Sequence, residues 1–138
     1  MVLSKEISLS TQGVCDLINI TPRLEEFVKN SKVKKGLVLV FCAHSTAGIM
    51  TIEYEEGILK DFCEFMEKLI PKDKTYYHDT TWGEANGFSH LRASLIGPSL
   101  VCPIVEGKLA LGTWQQIVLC DFDRMPRERK VLFQIIRE

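Results

Sequence analysis

Between His78 and Arg92 the chain crowds two histidines, Asp79, Glu84, Asn86, Ser89 and Arg92 into fifteen positions. The third histidine opens a second polar knot, His44-Ser45-Thr46. Three neutral imidazoles facing one point, with a fourth position open, would make a catalytic zinc site. Asp79, Glu84 or Glu53 would then orient the rings or complete the coordination. Thirty-three residues separate His44 from His78 and eleven separate His78 from His90, spacings that match no short metal motif. The fold has to bring the rings together. Arg92, one turn into a helix that opens at Ser89, suits a phosphate or carboxylate. The plainer reading of Arg92 is a surface residue or an ion pair with Glu84.

Other polar groups argue for less. Ser45 follows His44 directly, and adjacent residues on an extended strand point to opposite faces, so the two make a poor nucleophile–base pair. There is no Gly-x-Ser-x-Gly elbow. Asn86-Gly87 reads as a turn. Arg124, Arg127, Arg129 and Lys130 cluster around Pro126, where they could bind phosphate, but Asp121, Asp123 and Glu128 balance them, and a solvated loop is the favoured reading. In Leu111-Gly-Thr-Trp-Gln115 the glycine permits close backbone approach, and Trp114 reads as core or subunit contact.

The elements that must position these groups follow from hydrophobic spacing. Val2 to Leu9 and Val14 to Asn19 read as strands. Thr21-Pro22 opens a helix, with Thr21 as cap and Leu24, Phe27 and Val28 on the docked face. Gly36 ends that unit. Leu37 to Cys42 is a continuous apolar run, expected as a central strand, and Gly48 to Tyr54 another strand. Ile58, Phe62, Phe65, Met66 and Leu69 mark an amphipathic helix stopped by Pro71. Residues 71–88 have no clear period, and a loop of that length is usually functional. Ser89 caps a short helix through Ile96, with Leu91 and Leu95 inward and Gly97 as its exit. Leu100 to Val105, a Glu106-Gly107 turn, Leu109 to Leu111, Trp114 to Phe122 and Lys130 to Arg137 complete the strands. The expected architecture is α+β: a jelly-roll-like antiparallel β-sandwich core with two longer helices and one short one.

Bulk properties bound the rest. The 138 residues fit one domain spanning 1–138. Seventeen basic residues nearly cancel eighteen acidic ones, which disfavours a nucleic-acid or membrane-surface partner. The amino terminus lacks a signal-peptide pattern, and no apolar run approaches the ~20 residues a bilayer requires. Cysteines at 15, 42, 63, 102 and 120 include no Cys-x-x-Cys pair, so reduced, mostly buried thiols in a cytoplasmic protein are expected.

Taken together, His44-Ser-Thr-Ala-Gly48, the block from His78-Asp79 to Asn86, Ser89-His90-Leu-Arg-Ala-Ser-Leu-Ile-Gly97, Leu111-Gly-Thr-Trp-Gln115 and Pro126-Arg-Glu-Arg129 resemble the YjbQ-like family across nearly the whole chain. The resemblance implies an α+β homotrimer with a polar cleft at or near a subunit interface. It also implies secondary thiamine-phosphate synthase activity: hydroxymethylpyrimidine pyrophosphate is joined to thiazole phosphate and pyrophosphate is released. The family's histidines fall on His44, His78 and His90, its acidic positions on Glu84 and Glu53, and its Asn on Asn86. The chain departs from the family pattern at Ile52, Tyr54 and Gln116.

The expected site therefore has His44, His78 and His90 as metal ligands. Asp79, Glu84, Asn86 and Arg92 carry the chemistry, and Ser45, Thr46 and Ser89 contact the substrate, a small phosphorylated molecule. The divalent metal is zinc by its imidazole ligands, with magnesium serving a pyrophosphate. The dedicated TIM-barrel synthase architecture is excluded, since it needs ~200 residues or more. Two other functions fit the same residues: a metal-dependent hydrolase or lyase of a phosphorylated substrate, and a non-enzymatic trimer that binds a small molecule or metal.

Overall fold

The computed structural model describes residues 1–138. Its elements run β1 (Val2–Thr11), β2 (Asp16–Asn19), α1 (Thr21–Ser31), β3 (Lys35–Cys42), β4 (Ala47–Ile52), α2 (Glu56–Leu69), α3 (Tyr77–Trp82), α4 (Gly87–Ile96), β5 (Ser99–Val105), β6 (Lys108–Leu109), β7 (Gln116–Asp121) and β8 (Arg127–Ile136). The α+β class holds. The strands form two antiparallel sheets, ordered β1-β8-β3-β5-β6 and β2-β7-β4.

Strand β8 shows why these segments pair. Val131, Phe133 and Ile135 alternate inward and are fully buried, the period-2 pattern of a strand with one face on a core. Both neighbours lock its register: Leu9 faces Arg129 on β1, and Cys42 faces Val131 on β3. Strand β7 is apolar on both faces. Ile117 and Leu119 join the main core with Val38, Val40, Ile49 and Phe133. Val118 and Cys120 face the other way, toward Met66 of α2 and Ala93 of α4. So α2 and α4 cover the three-stranded sheet, and α1 packs Leu24 and Val28 into the main core. Each such side chain contributes about 1.5–3 kcal/mol relative to exposure.

Several local expectations are corrected. Helices number four, because Tyr77–Trp82 inside the aperiodic segment is helical. Thr21 does not cap α1. Ile20 holds the cap position, Asn19 Oδ1 accepts the Thr21 amide at 3.0 Å, and the Thr21 hydroxyl accepts the Ile117 amide at 2.7 Å. Gly36 lies within β3, where a Cβ would come within 2.6 Å of the Ile136 carbonyl oxygen. On α2, Met66 is buried, while Ile58, Phe65 and Leu69 are exposed. The helix therefore docks through Leu59, Phe62, Cys63 and Met66. Cys15 and Cys63 form a disulfide between the segment before β2 and α2, their Cα atoms 5.8 Å apart, so these two are not free thiols. Cys42, Cys102 and Cys120 are free and buried, as expected.

Candidate functional site

Helix α3 exists because its ends are satisfied, not because it has an apolar face. Asp79 Oδ2 accepts the Tyr76 amide at 2.9 Å, and Gly83 ends the helix at φ 70°, a conformation that favours glycine. The other oxygen of Asp79 accepts the Gly87 amide, the first of α4, at 2.8 Å. One carboxylate thus ties the starts of both helices together. Those two backbone hydrogen bonds hold its carboxyl below the usual range. A Cβ on Gly87 would lie 2.7 Å from that of Tyr76, so the junction needs glycine there. Asp79 is accordingly a positioning residue.

That junction brings two histidines together. The rings of His78 and His90 lie 4.5 Å apart by centroid, tilted by 42°. Two polar atoms beside them are buried without a hydrogen-bond partner: His78 Nδ1 and Asn86 Oδ1. Asp79 Oδ1 is 3.9 Å from His78 Nδ1, too far for a hydrogen bond. Burial, and then the neighbouring His78, push the His90 pKa down, against the pull of Asp123 and Glu84. His90 is therefore neutral near pH 7. Glu84 is exposed in the link between the helices.

The other expected residues are placed differently. His44 Nε2 accepts the Lys130 amide at 3.1 Å, and burial followed by the Arg129 charge keeps this ring neutral. No three side chains among His, Cys, Asp and Glu converge on a point that could hold a metal ion. Within one chain His78 and His90 are a pair, and the donor set does not complete a zinc site. Arg92 is not an anion clamp. It is buried, donates to Glu67 at 2.7 Å and to the Ile70 carbonyl at 2.8 Å, and lies 5.0 Å from the Phe88 ring. Its partner is Glu67, not Glu84. Ser89 is not a helix cap or a surface group; its buried hydroxyl donates to the Phe122 carbonyl at 2.5 Å. That bond fixes the rotation of α4, so Phe88, Arg92 and Ala93 turn inward while Leu91 and Leu95, expected inside, face out. Ser45 is exposed, Thr46 is buried, and Glu53 is exposed just beyond β4.

The basic cluster around Pro126 is solvated at Arg127, Glu128 and Lys130 but not at Arg129. Arg129 is buried and donates to Asp121 through Nε at 2.7 Å and through an Nη at 3.0 Å, and the same Nη donates to Thr46 at 2.6 Å. Thr11 donates to Asp121 at 2.5 Å, and Thr46 to Asp123 at 3.0 Å. Burial pushes the Asp121 carboxyl up, but Arg129, Thr11 and the Asp123 amide outweigh it and hold it low. The same balance, with Arg127 and Thr46 as donors, holds Asp123 low. Composition gives no warning of this network. The strand period does: Arg129 is in phase with inward Val131, Phe133 and Ile135, and an arginine aimed inward needs a buried carboxylate.

The lowered histidines set a pH dependence. An unfolded histidine titrates at 6.5, while folded His44 and His90 titrate below that. As pH falls under about 6.5, the unfolded chain takes up protons that the folded chain resists, so stability declines. Thermal melts should show Tm falling between pH 7 and 5.5, with a flatter slope in the double variant His44→Asn/His90→Asn. An unchanged slope in that variant would place the titration elsewhere.

The fold and this junction define a small α+β protein with an imidazole pair where two short helices meet. The family model described as UPF0047 protein YjbQ-like matches residues 5–138, and the chain belongs to that family. A UPF0047 protein of Archaeoglobus fulgidus is 43% identical over 95% of this chain and 99% of its own length. The Bacillus subtilis UPF0047 protein YugU is 31% identical over 91% of this chain and 92% of its own. Among solved structures, a YbjQ-like protein of unknown function from Sulfolobus solfataricus superposes with TM-score 0.94 at 34% identity, covering 100% of this chain and 99% of that one. A Clostridium acetobutylicum member of the family superposes with TM-score 0.88 at 40% identity, covering 96% and 99%.

Proposed function

We propose that the chain is an enzyme of the secondary thiamine-phosphate synthase type, working at the His78/His90 junction. The observation that carries this reading is the close, tilted imidazole pair with two buried polar atoms, His78 Nδ1 and Asn86 Oδ1, that make no bond within the protein. Buried polar groups are nearly always satisfied, so two unmet ones at this junction suit a polar ligand that enters when the junction opens.

In the coupling, the thiazole nitrogen forms a bond to the pyrimidine methylene carbon. The bond from that carbon to the pyrophosphate oxygen breaks, and its electron pair leaves with pyrophosphate. No proton has to leave the nucleophile. The demand is on the leaving group, whose growing charge needs hydrogen-bond donors placed in advance. A neutral imidazole keeps one N–H to donate. His90 fills that role, while His78 and Asn86 orient the substrates and Glu84 borders the site.

Zinc or magnesium also belongs to the proposal. His78 and His90 would be two of the ligands, with the remainder from outside a single chain, and no step above depends on the metal. A homotrimer is proposed too; exposed Tyr77, Trp82, Leu91 and Leu95 supply apolar surface for subunit contact. The test is pyrophosphate release by the purified protein. It should require both substrates together. Release from the pyrimidine pyrophosphate alone would make the protein a hydrolase, and retention of a substrate without release would make it a binding protein.

A further inference from the structure

Arg92 is buried and donates to Glu67 and the Ile70 carbonyl, so it does not supply the cationic group a phosphorylated ligand calls for. Among the arginines in and just after the β7–β8 turn, Arg129 is also consumed by its bonds to Asp121 and Thr46. Arg124 is spent on the carbonyls of Ala85 and Lys72. Arg127 differs. Its Nε donates to Asp123 Oδ2 at 3.1 Å, its side chain is half exposed, and neither terminal nitrogen has a partner within the chain.

One edge of the Arg127 guanidinium is thus tethered, and the outer edge, a planar fork of N–H donors, faces solvent. A tethered fork loses less conformational freedom on binding than a free surface arginine. Its place in the fold also fits. Asp123 follows Phe122, whose carbonyl accepts the Ser89 hydroxyl, and Ser89 precedes His90. The turn that leads into Arg127, the first residue of β8, is therefore stitched to the helix that carries His90. The charges nearby cancel, two buried carboxylates (Asp121 and Asp123) against the guanidiniums of buried Arg129 and half-exposed Arg127. The outward edge of Arg127 is what this cluster offers to a ligand.

We infer that Arg127 is the phosphate- or pyrophosphate-recognition residue of the His78/His90 site, gripping two oxygens through its free terminal nitrogens. This rests on the proposed function for the location of the site but not for the reaction. The test is titration of the wild-type protein with inorganic pyrophosphate, followed by calorimetry and by the imidazole NMR signals of His78 and His90. Wild type should bind and shift both signals. Arg127→Gln should weaken binding at least tenfold, and Arg127→Lys, which keeps the charge but loses the fork, should fall between. Lys108→Gln, on the distant β6, should bind as wild type does. Pyrophosphate binding by Arg127→Gln within twofold of wild type would overturn the inference. So would absence of wild-type binding, or shifts confined to other residues. Arg127-dependent binding in a protein that forms no coupled product would leave the inference standing and remove the synthase reading instead.

Discussion

Replacing His90 by alanine should lower the rate of coupling by about a hundredfold or more, the usual loss when a positioned proton-bearing group is removed. The fold should survive. His90 is only half-buried and makes no side-chain hydrogen bond within the protein, and the α4 rotation is fixed by Ser89 and Arg92 instead. Its loss should therefore appear in kcat, with Tm within a few degrees of wild type. Steady-state kinetics alongside thermal melts separate the two effects. Turnover within threefold of wild type would show that the imidazole pair does not serve the reaction.

The second large effect is on stability. Asp121→Ala removes the carboxylate that takes two hydrogen bonds from buried Arg129 and one from Thr11. Arg129 keeps Thr46 and a more distant Asp123 at 3.6 Å, which do not neutralise it in the same geometry. Stranding a buried charge costs about 3–5 kcal/mol, or roughly a 10–20 °C drop in Tm for a chain of this size. Replacing both partners, Asp121→Leu with Arg129→Met, should cost less than Asp121→Ala alone, because no charge is left unpaired. Urea denaturation of the single and double variants decides this. A double variant less stable than Asp121→Ala would mean that the network's worth lies in its connections to Thr11 and Thr46.

How much of this could be read from the sequence differs by element, for physical reasons. Strand β3 stood out because Leu37 to Cys42 is apolar throughout, and α2 because its apolar residues recur at helical spacing. The orientation of α4 did not. Apolar residues flank it on both sides, and what turns Leu91 outward is a tertiary hydrogen bond from Ser89 to Phe122, thirty-three residues away. Helix α3 was hidden because it has no buried residue. Its only signals are Asp79 three residues after Tyr76 and Gly83 after its last turn.

For the site, His78 and His90 meet as their crowding suggested, through the Asp79 bonds that join α3 to α4. His44, distant in sequence, instead accepts the Lys130 amide. Arg92 misled because a helix-start arginine looks the same in sequence whether it faces an anion or a carbonyl. Arg129 and Asp121 looked balanced and solvated because net charge does not distinguish a surface pair from a buried one.

The proposed seat of a phosphorylated ligand is the His78/His90 junction. A crystal structure with bound pyrophosphate tests it most directly. The ligand is expected beside His78 and Asn86, held by Arg127. A groove of about 630 Å³ lies elsewhere, lined by Lys29, Lys34 and Lys108 between α1 and the β5–β6 turn. Pyrophosphate held there, with the histidine junction unchanged, would contradict it.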